Sequence, residues 1–288
     1  MNLSHALFGL YRLASTSLPS DVEEALRHAG KIELHGSPAR FALDSILENI
    51  KIARERSIPL CQDTGAPVFY VSAPRGKSHA EIERAILRAT SVAAKKIPLR
   101  PNAVESISGK NTGSGTGKGT PEIHISEWNR PAIRFALLMK GAGSENIGRC
   151  YALPDASLNA ARDLCGVEKC VLDAVFRAQG KGCPPMVAGV AIGGSRGAVA
   201  LESKAQLLRR LGKRSKNPRL AELERGILSK SNSLGIGPAG LGGKNTLLAV
   251  HASALARHPA SYFVDISFSC WALRRRSMTY AGGEAKYE

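Results

Sequence analysis

Three cysteines constrain this chain most, each held in a short loop at the edge of an apolar run: Cys61 in PLCQDTGAP, Cys183 in GKGCPPM and Cys270 in SFSCWALRRR. The neighbouring runs VFYV, MVAGVAI and YFVDIS read as strands, and the bounding Pro, Gly or charge keeps each cysteine out of a helix. The fold must therefore present three thiols at the ends of sheet elements, where sites are commonly built. Three fixed thiolates without a fourth suggest an iron-sulfur cluster with one iron left open. Electron-transfer clusters normally take four thiolates, whereas an iron lacking a protein ligand is a Lewis acid for a hydroxyl or carboxylate oxygen. The chemistry implied is hydration or dehydration without a redox change.

The remaining cysteines carry no such signal. Cys170 falls on an apolar helical face with Val167, Val171, Ala174, Val175 and Ala178, so its role is packing. Cys165 and Cys150 read the same way. A zinc site on Cys165 and Cys170 would need a second close pair or histidines, which are missing.

The rest of the chain alternates helical and strand patterns, which predicts a mixed α/β fold in a single large domain over residues 1–288. A first helix is predicted through Ala6, Leu7, Leu10, Tyr11 and Ala14, and a second after Pro19, opened by Ser20 at the N-cap and Glu23 three residues on. A longer one, carrying Phe41, Leu43, Ile46, Leu47 and Ile50, precedes Cys61. Strands are predicted at Val68–Ser72, Ile123–Ile125, Ile133–Met139, Met186–Ile192 and, as the last, Tyr262–Ser269, with helices at Ser78–Lys95 and Val167–Gln179. The glycine-rich stretches Gly109–Gly119 and Gly240–Lys244 do not fit GxxxxGK[ST], which excludes a nucleotide-binding P-loop.

A net charge of +16 raises the question of nucleic acid. Lys204, Arg209, Arg210, Lys213, Arg214, Lys216 and Arg219 form one basic run, and Arg274, Arg275 and Arg276 another. The first lies on and just after an amphipathic helix carrying Leu201, Leu207 and Leu208, where such a run usually means a solvated face. No aromatic residues are interleaved for base stacking, so nucleic-acid binding or an assembly role is a distant alternative. An acidic partner subunit, or steering of a dicarboxylate, fits the charge better. No apolar stretch approaches the roughly 20 residues of a membrane span, the N-terminus lacks a secretory pattern, and six cysteines suit a reducing compartment, the cytoplasm.

Seven segments in order, IPLCQDTGAPVFYV, LRPNAVES, KNTGSG, KGAGSEN, CPPMVAGVAIGG, LGIGPAGLGGK and ARHPASYFVDISFSCWALRRR, resemble the N-terminal or alpha part of the class I fumarate hydratase and L(+)-tartrate dehydratase family, from about Leu10 to Arg276. The resemblance implies a [4Fe-4S] cluster on Cys61, Cys183 and Cys270. It implies that Gln62 and Asp63 reach the substrate hydroxyl, with Asp63 a proton donor to the departing water. Arg100 matches a carboxylate-binding arginine, Gly143 a glycine whose backbone amide approaches the substrate, and His258 a histidine that reaches into the partner protomer's site. Taken alone, Asp63-Thr64-Gly65 is a turn, Arg100 a surface arginine, Gly143 a turn glycine and RHP a helix end.

The resemblance further implies a beta subunit carrying the C-terminal domain that this chain, stopping at Glu288, lacks. Dimerising alpha chains, an alpha2beta2 assembly and no activity alone follow. The expected reaction is interconversion of (S)-malate with fumarate and water. The alternative is dehydration of L(+)-tartrate to oxaloacetate, because CWALRRR is nearer the tartrate dehydratase form whereas GAGSEN and IPLCQDTG are more fumarase-like.

Overall fold

The computed structural model describes residues 1–288, which form two compact units. The mixed α/β class expected from the sequence is the one observed, with each unit owning a sheet.

The first unit comprises residues 1–19, 49–142 and 274–288. Its strands are β1 (Ala66–Pro74), β2 (Glu122–Trp128), β3 (Ile133–Lys140), β8 (Arg275–Ala281) and β9 (Glu284–Tyr287), in the order β2-β1-β3-β8-β9. β1 and β2 are parallel and the other pairs antiparallel. Helices α1 (Leu3–Thr16) and α4 (His79–Lys96) supply its core with Leu7, Leu10, Tyr11, Ile82 and Ile86, against Phe69, Phe135 and Leu137 from the sheet. Burying each large apolar side chain contributes about 1.5–3 kcal/mol. The five apolar residues that predict α1 are all buried. Ser78 caps α4 by accepting from the Glu81 amide, which explains where that helix starts.

The second unit comprises residues 20–48 and 143–273. Strands β4 (Arg149–Ala152), β5 (Met186–Ile192), β6 (Leu247–Ala254) and β7 (Phe263–Ser269) order as β4-β7-β5-β6. β5, buried at all seven positions, lies between β7 and β6, so its uninterrupted apolar run has packing on both faces. Helices α2 (Ser20–Ile32), α5 (Ala142–Asn146, one residue across the boundary), α6 (Leu164–Ala178), α7 (Arg196–Gln206) and α8 (Pro218–Ser233) surround it. Helix α3 (Pro38–Arg56) gives its first part to the second unit and its last to the first. α6 buries the six residues of its predicted stripe, Cys170 among them.

Two expectations change. Phe263–Ser269 is not the last strand: β8 and β9 follow. β8 buries only Met278, so its sequence shows no apolar run, and its place comes from register with β3. The buried face of α7 is Val199 and Ser203, with Leu201 exposed, because Ser203 sits against Gly189 of β5, where an added Cβ would lie 2.1 Å from the Ser203 carbonyl. The Arg274–Arg276 run, whose placement the sequence leaves open, is drawn into the fold. Arg274 is buried, and Arg276 donates to Ser17 Oγ and to the Leu18 carbonyl.

Candidate functional site

In the first unit the Cys61 loop is anchored before and after the cysteine. Leu60 donates its N–H to the Ser15 carbonyl at 2.9 Å and accepts Asn49 Nδ2 at 2.9 Å, so the chain is pinned immediately before Cys61. Asp63 Oδ1 accepts from the Gly65 amide at 2.9 Å, the turn that the sequence suggests, while Oδ2 accepts from the Ala142 amide at 2.7 Å. Each carboxylate oxygen keeps a second lone pair. The Asp63 carbonyl in turn accepts from Arg274 Nη1. Gly65 is a position where glycine is required: its φ is +84°, and a Cβ there would meet the Met139 carbonyl carbon at 2.8 Å.

Arg100 joins this loop. Its amide donates to Thr64 Oγ1 at 3.1 Å, across 36 residues of sequence, and its side chain stays exposed. Asn102 Nδ2 adds a bond to the Gly65 carbonyl at 3.1 Å. The structure thus brings Cys61, Gln62, Asp63 and Arg100 into one cluster, with Cys61 and Gln62 exposed. Thr64, Asn102 and Arg274 hold that cluster, and sequence reading passed over all three. LRPN carried a signal for Asn102, an amide two residues from the arginine, whereas Thr64 and Arg274 look like an ordinary turn residue and a surface charge.

In the second unit Cys183 follows a 3₁₀ turn at Gln179–Gly182 and adopts the left-handed conformation, with φ +51° and ψ +65°. Its carbonyl accepts the Trp271 amide at 3.2 Å, which sets the end of β7, and with it Cys270, beside the Cys183 loop. The Ala239 amide donates to the Pro184 carbonyl at 2.8 Å, so the GIGPAGLGGK segment backs the same loop. Glu33 holds that segment from below by accepting the Lys244 and Asn245 amides.

Gly143 lies in the first turn of the short helix α5 rather than in an open turn. An added Cβ would be 3.5 Å from the Lys181 carbonyl, an ordinary contact, so the protein's own packing does not require glycine there. His258 belongs to the loop between β6 and β7, not to a helix end, and its Nδ1 accepts from the Ala260 amide at 3.1 Å. It lines an open depression of about 540 Å³ with Gly194, Arg196, Arg257 and Phe263. The Arg257 guanidinium lies 4.8 Å from the Tyr262 ring.

None of the six cysteines forms a disulfide, and their surroundings sort them. Cys61 and Cys183 are exposed and Cys270 half-buried. Burial pushes the Cys170 thiol up to about 12, and burial with the neighbouring Asp265 carboxylate raises that of Cys150, so neither is disposed to become a thiolate. No three His, Cys, Asp or Glu side chains converge closely enough to hold a single metal ion. A cluster takes one thiolate per iron, so its ligands are set around it rather than aimed at one point. Thiols outside any disulfide, two of them exposed and one half-buried, suit such a group. No helix is long and apolar enough to cross a membrane.

Comparison with known proteins agrees with these loops. A family model described as fumarate hydratase (Fumerase) matches residues 5–279. A Geobacillus stearothermophilus protein provisionally assigned as a class I fumarate hydratase is 41% identical over 95% of this chain, which spans only 54% of that protein's length. A Methanocaldococcus jannaschii protein provisionally assigned as L(+)-tartrate dehydratase subunit alpha is 37% identical over 96% of both chains. The L(+)-tartrate dehydratase subunit alpha of Escherichia coli (strain K12) is 34% identical over 92% of this chain and 86% of its own. With a family model covering nearly its whole length, the chain belongs to the fumarate hydratase (Fumerase) family.

Proposed function

We propose that this chain is the alpha subunit of a hydro-lyase that interconverts (S)-malate with fumarate and water. The observation that carries the reading is the Thr64 anchor, which sets Arg100 beside Cys61, Gln62 and Asp63. A guanidinium that can take a carboxylate through two parallel hydrogen bonds thereby shares a loop cluster with a thiol and a carboxyl group.

In this reading Cys61, Cys183 and Cys270 hold a [4Fe-4S] cluster. Their exposure and lack of disulfides suit that role. Such a cluster, with one iron free of protein ligands, supplies a Lewis acid for a substrate hydroxyl. The chain's own residues do the rest. Arg100 grips one substrate carboxylate and so fixes the dicarboxylate's orientation. Gln62 hydrogen-bonds the hydroxyl, and Asp63, positioned through the Ala142 and Gly65 amides, delivers the proton that leaves with water as a base of the assembled site takes a proton from the adjacent carbon and the double bond forms. The Gly143 amide donates to the substrate, at a place where the protein leaves room for a closer approach than packing demands. His258, exposed at the rim of its depression, serves the site of a second alpha chain.

The full-length match to subunits named alpha supports a beta subunit as partner, and hence activity only in the assembled complex. Six cysteines without a disulfide suit the cytoplasm. L(+)-tartrate is the second reading, favoured by the names of those same relatives.

Anaerobic co-expression with a candidate beta subunit, followed by fumarate absorbance on adding malate with L(+)-tartrate in parallel, tests the proposal. Malate turnover supports it, and turnover of tartrate alone moves the substrate. A complex lacking iron-sulfur absorbance near 400 nm on the order set by thiolate ligation overturns it.

A further inference from the structure

Helix α5 has five residues, far below the ~12–15 at which a helix begins to hold itself in water. Something outside it must fix Gly143, its second residue. Asp63 Oδ2 already holds the Ala142 amide at the start of the helix at 2.7 Å, and the Gly148 amide donates to the Glu145 carbonyl at 3.1 Å. A further tie comes from α7: Lys204 Nζ lies 3.0 Å from Glu145 Oε1, the lysine side chain 16% and the glutamate side chain 47% exposed. That exposure separates Lys204 from a solvated member of a basic run.

The helix that presents Lys204 is itself immobilised. Next to it, Ser203 packs its backbone against Gly189 of β5, where any side chain would collide. Ser203 Oγ reaches Asp265 Oδ1 and lies 2.9 Å from Ser267 Oγ, both on β7. Asp265 is the register partner of Cys150 on β4, the strand that α5 leads into. Lys204 therefore extends from a backbone tied to two strands, toward a short turn that leads into a third.

We propose that Lys204 is a positioning residue: through Glu145 it holds the α5 turn so that the Gly143 amide keeps a fixed direction for substrate. The inference rests on reading Gly143 as a substrate contact. The pair, with its glutamate half-exposed, contributes little to global stability, about 0–1 kcal/mol, but as one of the ties on a five-residue turn it acts on local order.

The test compares wild type, Lys204→Met and Lys204→Arg, each assembled with its beta subunit. Amide exchange of residues 142–148 is read first and malate kinetics second. Lys204→Met is expected to speed exchange in that segment by about tenfold and to raise KM for malate about fivefold, with kcat changed less than about twofold. Lys204→Arg should restore both, since it keeps the charge. A merely structural loss would lower global stability without splitting KM from kcat. Unchanged exchange in Lys204→Met overturns the inference, as does faster exchange with unchanged KM in an active complex. A wild-type complex that turns over neither malate nor tartrate defeats the functional reading instead, and the exchange comparison still decides whether Lys204 holds the turn.

Discussion

The Cys61 and Cys183 loops look alike in sequence, each a cysteine beside a strand with proline and glycine close by, yet they are built by different means. The Cys61 loop is held by side chains: Asn49 on the Leu60 carbonyl, the two oxygens of Asp63 on backbone amides, Thr64 on Arg100 and Arg274 on the Asp63 carbonyl. The Cys183 loop is held by backbone: a left-handed φ, the Trp271 amide on its own carbonyl and the Ala239 amide on that of Pro184. A loop held by side chains can be loosened one substitution at a time. A loop held by backbone responds chiefly to changes in conformational preference.

The largest test asks whether both loops really differ from a packed cysteine. At pH 8.5 Cys61 and Cys183 in the cluster-free chain should alkylate readily, whereas Cys170, with its thiol pushed up to about 12, should react on the order of a thousandfold more slowly. Mass spectrometry of the modified peptides reads this, and equal rates would erase the distinction. The same shift has a stability consequence. A thiol whose folded value lies above the usual value of 9.0 contributes stability fully present below pH 9, so the fold should weaken progressively between about pH 9 and 12.

Arg274→Met comes next, at about 3 kcal/mol lost in urea unfolding, because it removes a buried guanidinium and leaves the Asp63 carbonyl without that donor. Asp63→Ala should cost about 2 kcal/mol and speed amide exchange at Gly65 and Ala142, with Cys61 alkylation faster and Cys183 alkylation unchanged. If Cys183 responded equally, the two loops would not be independently held.

The smallest effect is the sharpest in sign. At position 183, glycine should be more stable than alanine by about 1 kcal/mol, because φ is +51°. At position 61, where φ is not positive, alanine should be more stable than glycine by about 0.5–1 kcal/mol. Calorimetry of the four variants checks the reversal, and the same order at both sites would refute the contrast.

Much was legible in the sequence because its signals are local. Apolar pattern placed α1, α6 and β5, a helix was expected over Ser78–Lys95 where α4 runs, and the order of the loop motifs pointed to the fumarate hydratase family, which the comparisons bear out. Three thiols, an acid and an arginine could be picked from those loops. Longer-range matters were not legible. Lys204 reads as part of a solvated basic run and nothing in the sequence announces the burial of Arg274, since formal charge says nothing of burial: the arginine is enclosed and the lysine is paired to Glu145. β8 carries no apolar run and exists through its register with β3. The sequence by itself determined which residues could do chemistry and which segments could be strands or helices, because both follow from side-chain type and spacing along the chain. Only the tertiary structure decided what holds the reactive loops still, because Thr64 with Arg100, Asp63 with Ala142 and Trp271 with Cys183 meet across dozens of residues through bonds that leave no trace in local pattern.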